Sequence, residues 1–298
     1  MMKKKLLIVA LIMLSAFAAD AQVSSPGGYD WRDSSVVPPA RMEQHFEFMN
    51  NQYNFPAQPR SQWELGIKLG APTVSGDVDA SFPGFGFGLH ARKALGYVLS
   101  VRGEYTYGNA RGVGPTHIAV RPILNPAWES RYPGGNFYYN YKTSVHEFSL
   151  QGVVNLNNIS FHRAEPKVLL HAIFGAGFLL YDTKIDAQNA AGAGYAFAPG
   201  MTKGVVRGLL DGTYETNATT SGSRLKPTTT FGLGASFKVS NKVNVSLENR
   251  FVMTRDDLMD GVKYYYATPA GSNAAVPIVS NRNDLYNFLS FGVNINLF

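Results

Sequence analysis

The chain contains no cysteine among its 298 residues. That absence excludes a disulfide framework, a thiolate metal site and a lipid-modified amino-terminal cysteine, so the fold is held by packing and hydrogen bonding alone. Charge is sparse as well, at 16% of residues. Lysine and arginine are scattered singly, with no basic run interleaved with aromatics, and this pattern excludes a nucleic-acid partner. No G-x-S-x-G nucleophile motif occurs. Beyond the first residues, no apolar stretch approaches the length of about twenty that a spanning helix needs.

What is present begins with Lys3, Lys4 and Lys5, followed by an apolar run from Leu6 to Ala19 and then Ala19-Asp20-Ala21. A basic end, a short apolar core and an A-x-A stop describe a cleaved secretory signal over residues 1–21, with Gln22 as the mature start. Cleavage removes three lysines and one aspartate, which lowers the formal charge from +6 to +4. Residues 22–61 form a polar, proline-broken periplasmic extension. Within it Met42, Phe46 and Met49 recur at i, i+4 and i+7, which predicts a short amphipathic helix over 41–50 packed on the periplasmic rim.

From Trp63 the apolar period becomes two. Trp63, Leu65, Ile67 and Leu69 alternate with Glu64, Gly66, Lys68 and Gly70, and seven further segments repeat the scheme: Phe85–Arg92, Tyr97–Tyr107, Glu147–Val154, Val168–Tyr181, Thr229–Phe237, Val243–Phe251 and Leu289–Leu297. One face is large and apolar, whereas the other mixes glycine, serine and charge, as a lipid-out, lumen-in strand requires. The composition agrees: 30 glycines, 16 tyrosines and 19 phenylalanines supply aromatic girdles and small inward residues. The expected fold is an all-β transmembrane antiparallel up-and-down barrel over residues 62–298, with about eight strands. Periplasmic connections at 93–96 (tight), 157–167 (moderate) and 240–242 (tight) alternate with long extracellular loops at 72–84, 109–142, 184–226 and 255–283. Phe298 gives an aromatic carboxyl end, although on the parity opposite to the apolar face.

The segments GIKLGAPTVSGDVDA (Gly66 to Ala80), GLHARKALGYVLSVRGEYTYG (Gly88 to Gly108), NLNNISFHRAEPK (Asn155 to Lys167), GAGFLLYDTK (Gly175 to Lys184) and TRDDLMDG (Thr254 to Gly261) resemble the amino-terminal barrel of OmpA-family outer-membrane proteins, particularly their longer-looped relatives. The resemblance implies an outer-membrane barrel surrounded by lipid and lipopolysaccharide. Such proteins usually continue into a domain that grips peptidoglycan; no such segment follows Phe298, so wall anchoring is not expected.

The inward parity assigns Glu64, Lys68, Arg92, Arg102, Glu104, Glu147, Glu248 and Arg250 to the lumen. Both signs in a narrow interior must pair, because isolated buried charge is costly. The expected result is a salt-bridged plug, with a small gated ion pathway as the alternative. His90, His146 and His171 lie on different strands without metal-ligand spacing, so neither metal nor cofactor is expected. His117 with Asp77, Asp79, Asp256, Asp257 and Asp260 is the only loop set suited to hydrolytic chemistry; the expected role of these acids is solubility. The loop aromatics Trp128, Tyr132, Phe137, Tyr138, Tyr139, Tyr141, Tyr195, Phe197, Tyr264 and Tyr265 divide between strand extensions and a contact surface for other outer-membrane or periplasmic proteins. Residues 204–216 are expected to hold a short helix on that surface.

Overall fold

A computed structural model describes residues 32–60, 62–119, 136–157, 168–198, 200–218, 223–240, 242–262, 264–267, 276–279 and 283–297. The segment 1–21, Trp128, Tyr132 and Phe298 lie outside the described residues, as do the side chains of His117, Tyr264 and Tyr265. Eight long strands form the barrel: β1 (Trp63–Ser75), β2 (Ala80–Ala94), β3 (Leu99–Ala119), β4 (Asn136–Asn155), β5 (Val168–Ile185), β7 (Arg224–Lys238), β8 (Val243–Thr254) and β11 (Leu285–Leu297). The short β6 (Thr216–Asn217) adds to the end of β5, and β9 (Tyr264–Ala267) pairs with β10 (Val276–Val279) as a separate hairpin.

Each long strand pairs antiparallel with its neighbour, and β1 pairs with both β2 and β11, so the ring has no open edge. Closure pairs each long strand with a neighbour on both sides, the condition for crossing hydrocarbon. No helix of the described residues is long and apolar enough to cross a membrane. The outward positions of β1 and β11 (Trp63, Leu65, Ile67, Leu69, Leu289, Phe291, Val293, Ile295 and Leu297) are all exposed, as are Phe148, Leu150, Phe174 and Phe178 across the ring. A continuous apolar exterior around a polar interior is the reverse of a soluble core, and the chain is a transmembrane barrel.

The eight alternating segments coincide with the eight barrel strands, but several strands run further than the alternation suggested. β3 has 21 residues and β4 has 20, against the 9–11 that span a bilayer. The first long connection shrinks accordingly to residues 76–79. Pro72 and Gly84 read as breakers, yet both lie within strands. Pro72 is accommodated because β1 pairs with β2 only from Trp63 to Gly70, while its β11 pairing continues to Ser75. The missing proline amide therefore falls where one side of the strand is already free. At the opposite end the tight turns match expectation, closed by Leu95 N–H to Leu99 O and Val239 N–H to Val243 O.

The extension does form a helix, Met42–Met49, docked on the β2–β3 turn. Its contact face differs from the predicted stripe: Phe48 packs on Tyr97, beside Val36, Ala94 and Val98, whereas Phe46 and Met49 are exposed. A four-residue turn offers room for one large side chain. The Tyr97 hydroxyl donating to Ala57 O (3.0 Å) and the Arg60 amide donating to Val36 O (2.8 Å) fix the segment around that single contact.

Candidate functional site

The candidate site is the barrel interior and the mouth above it. All eight lumen charges assigned by parity face inward and are buried. Four cations (Lys68, Arg92, Arg102, Arg250) meet four carboxylates (Glu64, Glu104, Glu147, Glu248), so the layer has no formal net charge. Glu104 is the hub, with Lys68 Nζ at 2.9 Å, Arg102 Nε at 3.1 Å and Arg250 Nη2 at 3.0 Å. Glu248 takes Lys68 Nζ at 2.5 Å and Arg102 Nη1 at 2.8 Å, and Glu147 takes Arg250 Nη1 at 3.2 Å. Nearer the short-turn end, Arg92 Nη2 meets Glu64 at 2.5 Å.

The neighbouring strands supply the space and the remaining hydrogen bonds. Gln151 accepts from Arg102 Nε (2.8 Å) and Nη2 (2.6 Å), and Thr106 accepts from Arg250 Nη2 (2.8 Å). Glycines face the bulky groups: a Cβ on Gly66 would sit 2.1 Å from His90 Cε1, and one on Gly234 would sit 2.3 Å from His171 Nε2. The two inward histidines serve this layer, with His90 Nε2 3.6 Å from Glu64 and His171 Nε2 3.3 Å from Glu248. His146 lies on the outer face, its Nδ1 2.9 Å from the Tyr105 hydroxyl. The three histidines are thus separated, and among the described residues no group of three or more potential ligands is arranged for a metal ion.

Above the charge layer the inward positions turn apolar. Val74, Ala110, Tyr141, Val145, Leu179, Tyr181, Val252, Tyr286 and Phe288 form one buried cluster, closed from the loop side by Met259 and Val262. Val74, Ala110 and Tyr141 fall in the loops expected from the sequence, and the longer strands bring them into the barrel. That they form a second, apolar stopper depends on strand register, which brings Val74 opposite Tyr286 and Val145 opposite Tyr181.

Two carboxylates cap this stopper. Asp284 Oδ2 accepts from the Met259 amide (2.7 Å), and Asp260 accepts from the amides of Val78 and Val262 (both 2.9 Å). Both side chains face the α-carbon of Gly76, where a Cβ would come within 2.0 Å of Asp284 and 2.6 Å of Asp260. Burial raises both carboxyls, Asp284 to about 9 with the Asp260 charge adding to it, and Asp260 to about 6 with the Asp77 charge adding to it. Asp284 was not legible as special, because sequence gives it no neighbour; its partner lies 24 residues away.

The direction of the shift sets a pH dependence. A carboxyl raised in the fold binds its proton more tightly folded than unfolded, so its contribution falls as pH rises from the unfolded value near 4 to the folded value near 9. Wild-type protection of the Met259 and Val78 amides should therefore weaken from pH 6 to pH 9. Asp284→Asn, which retains an acceptor without the charge, should flatten that slope and slow exchange several-fold at pH 9. Equal slopes in hydrogen-exchange measurements of the two proteins would refute the raised Asp284 carboxyl.

The loop aromatics require a correction. Tyr138, expected on a contact surface, is 1% exposed, and its hydroxyl donates to Ala198 O (3.0 Å) and accepts from the Met201 amide (2.9 Å). It packs with Phe137, Phe197, Ile185 and Val206 into a core inside the long loops, with Tyr139 and Tyr195 partly buried against it. Phe137 and Tyr141 are likewise buried. Tall strands and long connections bury their own apolar surface, which composition alone cannot distinguish from an exposed patch. The expected helix is present at Lys203–Leu209 and contributes Val206 to this core. Of the loop acids, Asp256 pairs with Lys226 (3.2 Å) and the Tyr181 hydroxyl, and Asp79 stands 3.6 Å from Lys203.

The closed ring, apolar belt and filled interior define a membrane-spanning β-barrel of eight strands. No protein-family model matches the chain, and neither does any curated protein. Solved structures similar to it include Neisserial surface protein A (11% identity, covering 79% of this chain and 96% of that one, TM-score 0.36). They also include Ail, the attachment invasion locus protein of Yersinia pestis, in complex with sucrose octasulfate (11% identity, 80% and 97% coverage, TM-score 0.34), and a major outer membrane protein of Thermus thermophilus (8% identity, 80% and 100% coverage, TM-score 0.39). Likeness this weak assigns neither a family nor a role.

Proposed function

We propose that the chain is an outer-membrane barrel with a structural and surface-interaction role, exported through the signal at 1–21 and seated in lipid and lipopolysaccharide. In this reading it serves as a rigid element or subunit for other outer-membrane or periplasmic proteins. The observation that carries it is the doubly blocked interior, a neutral layer of mutually bonded charges beneath an apolar stopper. The long connections support the same reading, because they fold over a core of their own and offer a shaped surface. A non-enzymatic role fits the loop acids, which bond to Lys226, Lys203 and backbone amides.

The test is conductance of the purified full-length protein in planar bilayers. The expected trace is silent at moderate voltage for wild type and for Arg92→Gln or Glu248→Gln. A steady wild-type current changed by either substitution would establish the alternative, a small pore gated by ion pairs that exchange partners.

A further inference from the structure

We propose that the outer face of β3, β4 and β5 at the long-loop end binds the phosphates of lipid headgroups in the surrounding leaflet; this rests on the outer-membrane reading above. Cross-strand register aligns three cations in one row, with Arg111 opposite Lys142 and Lys142 opposite Lys184. Like charges directly opposite each other destabilise a sheet. Among the described residues none of the three forms an ion pair with a carboxylate. Asp182, the next carboxylate on that face, lies one row lower, opposite Ser144. A row with this built-in repulsion fits an anion supplied from outside.

The height of the row identifies the anion. Descending the same face, the register passes through Asn109, Ser144 and Asp182, then Tyr107, His146 and Leu180, then Tyr105, Phe148 and Phe178. The tyrosines and His146 form an aromatic girdle, with Tyr105 4.7 Å from Phe148 and Tyr107 4.8 Å from His146 between ring centres. Rows on one face are about 6.6 Å apart along the strand, so with barrel tilt the cations stand roughly 10 Å above the girdle. Lysine and arginine side chains reach down across that distance by snorkelling.

The local packing gathers the charges. The Tyr214 ring lies 5.8 Å from Arg111 Cζ and 5.8 Å from Lys142 Nζ, holding both heads on one side. Beside them opens a cleft of about 130 Å³ lined by Arg111, Arg207, Tyr214, Val113 and Leu210. Guanidinium and ammonium groups spaced around an aromatic ring suit a phosphorylated sugar, with arginine able to grip phosphate through two parallel hydrogen bonds.

The test uses the full-length protein in neutral detergent, with diphosphoryl lipid A and its dephosphorylated form as probes and native mass spectrometry as the readout. Wild type should retain the diphosphoryl form at least tenfold better than the triple variant R111Q/K142Q/K184Q, and better than it retains the dephosphorylated form. A control that removes two cations at the short-turn end, K238Q/K242Q, should behave as wild type. Because the triple variant could misfold, K142Q alone supplies a second arm: it should melt higher than wild type without lipid, once the repulsion is relieved, and gain less from added lipid. Equal retention by wild type and a folded triple variant would overturn the proposal. Displacement of the lipid by millimolar inorganic phosphate would also overturn it, in favour of a soluble anion. A silent, folded barrel that fails to retain lipid refutes this inference alone, whereas a conducting barrel refutes the reading beneath it.

Discussion

Glu104→Gln should be the most damaging of the conservative lumen substitutions, costing about 3–5 kcal/mol of barrel stability. The substitution keeps size and leaves three buried cations, Lys68, Arg102 and Arg250, without their shared carboxylate. Each still has another partner, Glu248 for Lys68 and Arg102 and Glu147 for Arg250, but the layer acquires an uncompensated positive charge where water does not screen it. Glu64→Gln provides the comparison. Glu64 has one strong partner, Arg92, in the layer nearer the short-turn end, and its loss should cost roughly half as much. Urea titrations followed by the folded and unfolded bands on cold gels would measure both. A compensating double variant, Glu104→Gln with Lys68→Met, should recover part of the loss. Equal costs for Glu104→Gln and Glu64→Gln would contradict the hub arrangement.

Gly177→Val is the second large effect, and it acts on the backbone. A Cβ at Gly177 would lie 2.1 Å from Phe148 O and 2.8 Å from Ser149 Cα, atoms fixed by the β4–β5 ladder. No flexible side chain stands there to yield, so the two strands must part. The expected cost is about 3 kcal/mol, the upper end of overpacking penalties, together with a lower yield of folded barrel. Gly103→Ala is the control: it faces outward with nothing within 4 Å of the added carbon, and should fall within about 0.5 kcal/mol of wild type. Refolding yield and urea midpoint in detergent would separate the two, and a well-folded Gly177→Val with an unchanged midpoint would show that the ladder can relax.

Both predictions begin from parity, and parity was the most legible feature of the chain. Strand alternation marks which side of a closed sheet each residue occupies, because successive side chains point to opposite faces without reference to anything distant. Glu104 could therefore be placed inward from local sequence, whereas the face of Gly177, in the more uniformly apolar Val168–Tyr181 segment, came from its register opposite Ser149. The interaction surface was less legible. Tyr138 has the composition of an exposed contact residue, yet it anchors the loop core through Phe197 and Met201, some sixty residues away. Met42, Phe46 and Met49 mark a helix correctly, but which face docks was decided by the shape of the β2–β3 turn and the reach of Phe48.

Periodicity over a few neighbouring residues was enough to specify the eight strands, their inward and outward faces and the chemical character of the lumen. Folding in three dimensions settled which inward charges bond, where the polar plug gives way to an apolar one, that Asp284 meets Asp260, and that Arg111, Lys142 and Lys184 share a row. Those are matters of register between strands distant in the chain. A shift of two residues in register preserves every side chain's face while changing every partner, so local alternation contains no information about them.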